Sequence, residues 1–151
     1  MTDIFKKIRE FNDKIIKLEP VENLNDERFE WFKNVVREEM MEFTAARQSY
    51  DNPFGSKMVA RVDMLDALID LLYFIIGRIQ ELGFDDKDFD KMFSFVHNAN
   101  MQKEKGNKGR GSDADAVKPK DWQGPETKMI KYLLRKEYNE RTNKQCEDSE
   151  S

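Results

Sequence analysis

Apolar residues recur at three- and four-residue intervals from the start of the chain: Ile4, Phe5, Ile8, Phe11, Ile15 and Leu18. This is the period of an amphipathic helix, with Thr2 or Asp3 placed to cap it and Pro20 to stop it, so a first helix is expected to about Leu18. Asn25 or Asp26 opens a second helix. Its stripe, Phe29, Phe32, Val35, Val36, Met40 and Phe43, persists to Ala46, before Tyr50, Asp51, Asn52, Pro53 and Gly55 break it. Ser56 caps a third helix, Lys57–Leu82, which ends at Gly83. That helix is apolar nearly all round between Leu65 and Ile76, as expected for the central buried helix of a bundle. A fourth runs from Asp85 or Asp86 to Ala99, with Phe89, Met92, Phe93 and Val96 inward.

The pattern then lapses. Lys103–Lys120 carries Gly106, Gly109 and Gly111, a series of basic residues and almost nothing apolar, which reads as a loop with no strand of any weight. Trp122 and Pro125 follow, and Met129, Ile130, Leu133 and Leu134 make a short amphipathic helix before a polar tail. The expected fold is all-α, an antiparallel bundle of four main helices plus a C-terminal loop and short helix. One domain spans 1–135, with a flexible basic loop at 103–121, and a polar tail occupies 136–151.

Composition narrows the function classes. With 151 residues, 38% apolar and 11% aromatic, the chain can build a real core. A net charge of −4 argues against a dedicated nucleic-acid binder, so any phosphate binding must be local. The single cysteine, Cys146, has no partner for an internal disulfide and fits a reducing, cytoplasmic setting. The most apolar stretch, Met64–Ile76, is interrupted by Asp66 and Asp70 and too short to span a bilayer, so no membrane association is expected.

The chemistry lies in the acids. Glu38, Glu39 and Glu42 share one side of the second helix, since residues three and four apart stack on a helical face. Alone, such a group is most often solvated charge. The third helix, however, carries Asp63, Asp66 and Asp70 at the same spacing, and Asp66 and Asp70 sit among Met64, Leu65, Ala67, Leu68, Ile69, Leu71 and Leu72. Buried carboxylates without compensation are costly, on the order of several kcal/mol each. Ion pairs with Arg37, Arg47 or Arg61 would compensate them, as would a divalent cation. All-oxygen donors on two facing helices suit Mg²⁺ or Mn²⁺, which leave coordination positions to water and phosphate. Such an ion offsets phosphate charge and activates a water for attack on phosphorus.

Glu38-Glu39-x-x-Glu42, followed by Asp66-x-x-x-Asp70-Leu71-Leu72-Tyr73 and Gly77, resembles the MazG-type all-α NTP pyrophosphohydrolase superfamily. Val96-His97-Asn98-Ala99-Asn100-Met101-Gln102-Lys103, then Lys118-Pro119, Trp122 and Pro125, is similar to segments of its phosphoribosyl-ATP pyrophosphohydrolase-like branch, many of whose members are phage proteins. The similarity covers roughly Asp3 to Pro125. It implies metal ligation by Glu39, Glu42 and Asp70, with Glu38 orienting water or binding a second metal. Many members place a fourth ligand where Ala67 stands here, so Asp66 or Asp63 must replace it. Asp66 is preferred for its four-residue alignment with Asp70. The resemblance also implies assembly as a dimer or tetramer, and for a viral protein the host cytoplasm.

Other residues are weighed on chemistry. Asn100, Lys103 and Lys118 offer an amide and two ammonium groups to phosphate oxygens, against plain loop polarity. Phe11, Asn12 and Trp31 are positioned to stack on or hydrogen-bond to a base, with core packing the alternative for Phe11. His97, the only histidine, reads as a cap or packing residue. The expected activity is hydrolysis of a (deoxy)nucleoside triphosphate to the monophosphate and pyrophosphate. The alternatives are phosphoribosyl-ATP hydrolysis and a non-catalytic all-α interaction module.

Overall fold

The computed structural model describes residues 2–17, 25–109 and 115–149, with the side chains of 2, 144 and 146–149 outside that description. Leu18 and Pro20, expected to end and stop the first helix, therefore lie outside the described residues, as do Arg110, Gly111 and the Cys146 side chain. Among the described residues the chain is all-α apart from one small hairpin. It divides into two compact units, residues 1–89 and 90–151.

In the first unit, helix α1 spans Thr2–Phe11 and continues as a π-helical turn, Asn12–Ile16, closed by Lys17 in the left-handed region (φ 54°). The expected single helix to Leu18 thus changes form at Phe11. A π turn holds more residues per turn, so it breaks the 3.6-residue phase. Asn12 continues the inward face of Phe5 and Ile8 and is buried, whereas Ile15, the next position of that stripe, is exposed.

Helix α2 runs Asp26–Asp51, capped by Asn25, whose Oδ1 accepts from the Arg28 N–H at 2.8 Å. It passes the expected end at Ala46 by five residues. Nothing before Asn52 is a helix breaker, and Pro53 and Gly55 supply the stop. Helix α3, Lys57–Glu81, is capped by Ser56 and followed by Gly83 at φ 83°, as its sequence predicts.

Helices α2 and α3 pack along their length, with the start of α2 against the end of α3. The buried apolar positions of this pair are small or few: Ala46, Ala60, Ala67 and Ile76. The central helix expected to be buried all round is thus corrected. Within the first unit α3 buries a narrow seam, and Leu65, Leu68, Ile69 and Leu72 stay exposed, since no described residue of that unit covers them. The fully buried cluster is instead Phe5, Ile8 and Ile76, where α1 crosses the C-terminal end of α3, with Ile79 and Phe89 against it. Gln80, fully buried, ties the crossing by donating to the Phe5 carbonyl and accepting from Asn12 Nδ2, both at 2.8 Å.

Helix α4, Asp86–Asn100, starts with a reciprocal cap in which Asp88 N–H donates to Asp85 Oδ1 and Asp85 N–H to Asp88 Oδ2. In the second unit, where a loop was expected, strands β1 (Glu104–Gly106) and β2 (Asp115–Val117) pair antiparallel with Glu104 opposite Val117. A side chain at Gly106 would come within 2.6 Å of Val117, so glycine serves close strand approach there. Helix α5 spans Glu126–Ser149, far longer than the short helix over Met129–Leu134. Its polar second half has no apolar stripe to announce it, but Lys, Glu, Arg and Gln are good helix formers. Among the described residues no helix is long and apolar enough to cross a membrane.

Candidate active site

The first unit brings four acids of α2 and α3, Glu38, Glu42, Asp66 and Asp70, round a fifth, Glu39. Glu39 is 8% exposed, and its Oε2 is buried without a hydrogen-bond partner among the described residues. Burial raises its pKa above the ordinary 4.5, and the charges of Glu42, Asp70, Glu38 and Asp66 raise it further. The burden of burial therefore falls on Glu39. Asp66, taken from sequence as buried, is exposed, and Asp70 is half-buried, because they flank the narrow seam at Ala67 rather than entering it.

Among the described residues no cation answers this charge. Arg37 donates to Asn34 Oδ1, Arg47 pairs with Asp51, and among the described residues no ion pair joins Glu38, Glu39, Glu42, Asp63, Asp66 or Asp70 to a lysine or arginine. An orphaned buried oxygen among four further carboxylates is the donor chemistry of a hard divalent ion, so the residues fit Mg²⁺ or Mn²⁺. As the side chains stand, no three acids among the described residues enclose one ion position.

Asp70 also lines a cleft of about 460 Å³, within the roughly 300–1,000 Å³ typical of small-molecule sites. Its walls are aromatic. Phe11 meets Tyr73 edge to face at 5.8 Å between centroids, and Trp31 meets Phe74 the same way at 5.9 Å. Asn12 lies over Gly77, where a Cβ would stand 3.3 Å from its Nδ2, so the glycine lets the π turn approach α3. Phe11 and Asn12 both line the cleft, but Asn12 is also committed to Gln80.

Three further cleft residues carry a charge network that the sequence reading did not find: Arg28, Arg78 and Glu81. Glu81, 2% exposed, accepts from Arg28 Nε at 2.7 Å and from Arg78 Nη1. Arg78 is 8% exposed and lies over the Phe32 ring, while Arg28 lies over Trp31. A signal for it existed: Arg78, Gln80 and Glu81 follow the apolar run 71–76.

In the second unit, the hairpin gathers Asn100, Lys103, Lys118 and Trp122. Lys103 Nζ donates to Asn100 Oδ1 at 2.6 Å, and Lys103 and Lys118 Nζ lie 5.6 and 4.0 Å from the Trp122 ring centroid. Trp122 Nε1 in turn donates to the Ala99 carbonyl at 2.7 Å. His97 is exposed and stacks on Phe93, consistent with a packing role.

No curated protein matches the chain at a significant level. The model of the phosphoribosyl-ATP pyrophosphohydrolase family matches residues 8–100, which hold the π turn, the acid cluster and the aromatic cleft. That match covers more than half of the 151 residues, and the chain belongs to the phosphoribosyl-ATP pyrophosphohydrolase family, which makes it a nucleotide pyrophosphohydrolase.

Proposed function

We propose that this chain hydrolyses a (deoxy)nucleoside triphosphate between the α- and β-phosphates, releasing the monophosphate and pyrophosphate. The observation that carries this reading is the position of Asp70, which belongs both to the acid cluster around Glu39 and to the lining of the aromatic cleft. A base stacked in the cleft would have its phosphates led toward carboxylates that have no cation partner among the described residues.

Glu39, Glu42, Asp66 and Asp70 are the residues that would hold Mg²⁺ or Mn²⁺. Asp66 is preferred to Asp63 because its charge acts on Glu39 and it aligns with Asp70 at four-residue spacing. When bound, the ion would offset phosphate charge and lower the pKa of a coordinated water. Glu38, exposed beside the cluster, is suited to accept the proton of the attacking water as its oxygen bonds to the α-phosphorus and the bond to the departing pyrophosphate breaks. Phe11 and Trp31 offer ring faces to the base, and Asn12 an amide. In the second unit, Asn100, Lys103 and Lys118 offer an amide and two ammonium groups suited to phosphate oxygens. The exposed apolar stripe of α3 supports assembly into a homodimer or homotetramer.

The test is a panel of nucleoside triphosphates together with phosphoribosyl-ATP, assayed with and without Mg²⁺, the products separated by chromatography. Pyrophosphate release from at least one triphosphate is expected, abolished by chelation and reduced by orders of magnitude in Glu39→Ala, Glu42→Ala and Asp70→Ala with helical circular dichroism retained. Orthophosphate as first product, or near-normal rates in all three variants, would overturn the reading. Turnover of phosphoribosyl-ATP alone would favour the reaction that gives the family its name.

A further inference from the structure

Where α1 crosses α3, one backbone carbonyl decides how two side-chain amides face. The Phe5 carbonyl can only accept, so the group that meets it at 2.8 Å is the amide nitrogen of Gln80. Gln80 Oε1 therefore faces the other way, and what meets it at 2.8 Å is the donor of the next amide, Asn12 Nδ2. Gln80 is fully buried and Asn12 is 6% exposed, so neither amide turns over without stranding a buried partner. The relay ends at Asn12 Oδ1. Among the described residues no donor bonds this oxygen, and it is not one of the unpartnered side-chain atoms closed to solvent. Asn12 lines the cleft, lying over Gly77 of its wall, so Oδ1 opens into it.

From this relay we infer that Asn12 Oδ1 reads the exocyclic amino group of the base, with Gln80 as the positioning residue that acts through it. An adenine or cytosine nucleotide is then favoured over its oxo counterpart, hypoxanthine or uracil. The inference rests on the cleft being the nucleotide site. A free amide suits either pattern, because by turning over it offers its N–H to a carbonyl or its oxygen to an amino group. Here Nδ2 is engaged by Gln80, and only an acceptor is left for the ligand. Adenine and cytosine carry an amino donor where hypoxanthine and uracil carry a carbonyl. The amino group completes a hydrogen bond to Oδ1, whereas the carbonyl sets lone pair against lone pair and leaves both oxygens unsatisfied. The ring N–H of an oxo base does not compensate. Turned to present that N–H, the base still holds a carbonyl oxygen close to Oδ1, and the amide N–H that would pair with it belongs to Gln80.

The test measures binding rather than turnover, by calorimetry on the full chain with dAMP, dIMP, dCMP and dUMP. Within each ring type the pair exchanges an amino group for a carbonyl. dAMP should bind about tenfold tighter than dIMP, and dCMP about tenfold tighter than dUMP, the scale of one hydrogen bond lost with its acceptor left unpaired. These ratios leave the protein unaltered and decide the matter whether or not a buried variant folds. Gln80→Met keeps the length of the side chain but releases the Asn12 amide, which then turns to suit either base, so both ratios should fall toward one. Gln80→Glu, protonated in its buried site, can still donate to the Phe5 carbonyl and accept from Asn12, and should restore the ratios. A merely structural role for Gln80 would weaken all four ligands alike and leave the ratios as they are. Equal binding within both pairs, tighter binding of the oxo bases, no measurable binding, or unchanged ratios in a folded Gln80→Met protein would each overturn the inference. Failure to release pyrophosphate from any triphosphate would sink the proposed reaction, while these affinities would still decide how the base is read.

Discussion

At the scale of single residues, the structure concentrates its electrostatic cost on Glu39. Asp66 and Asp70 looked more exposed to that cost in the sequence because they interrupt an apolar run, but a run of apolar residues does not say which face is covered. Glu39 reads in sequence as one of a group of solvated acids with Glu38 and Glu42, and its burial follows from the close approach of α3. With its pKa raised in the fold above the ordinary 4.5, Glu39 binds its proton more tightly in the native than in the unfolded state. The folded protein is therefore favoured while Glu39 is protonated, and stability falls as pH rises from about the ordinary value through the raised native one. The metal-free protein should accordingly lose thermal stability over that window, and Glu39→Gln should flatten the loss and raise the melting temperature at pH 7. Thermal denaturation in chelator across the pH range checks this. An unchanged slope in the variant would show that Glu39 is not the group responsible.

At the scale of elements, the capping residues and the apolar period located α2, α3 and α4 to within a few residues, because those signals are local. The π turn, the hairpin and most of α5 were not legible for different physical reasons. The π turn is set by Asn12 being drawn to Gln80, 68 positions away in sequence. The hairpin strands are three residues each and alternate weakly, so their pairing depends on Gly106 tolerating Val117 and on the Trp122 bond to Ala99. Asn100, Lys103 and Lys118, which the sequence singles out as phosphate candidates, are gathered at the hairpin, where Lys103 bonds Asn100 and both lysines lie over Trp122. Lys103→Ala and Lys118→Ala should therefore act alike. If they contact phosphate both before and at the transition state, each raises KM several-fold and leaves kcat nearly unchanged. Steady-state kinetics that return wild-type KM for both would confine the cluster to a structural role.

At the scale of the whole molecule, the reaction class was readable because the acidic motifs that carry the family resemblance are short local patterns on two helices, whereas Arg28, Arg78 and Glu81 are separated in sequence and become a unit only in the fold. The same limitation governed the core. A sequence with a helix apolar all round predicts burial, but it does not say whether the cover comes from the same chain. Among the described residues of the first unit none supplies it: Leu65, Leu68, Ile69 and Leu72 repeat at helical spacing along α3 and are 39–57% exposed, with Met40 and Met41 of α2 also exposed. A contiguous apolar stripe of this kind is disfavoured in water and favours association with a like surface. The protein is thus expected to sediment at twice or four times its 17.9 kDa at micromolar concentration. Leu68→Glu would place a charge within the stripe, and should shift the mass toward the monomer and lower the melting temperature together, since helices that lose their cover lose much of their stability. A monomeric wild type, or a Leu68→Glu variant with unchanged mass and stability, would place the cover for α3 elsewhere.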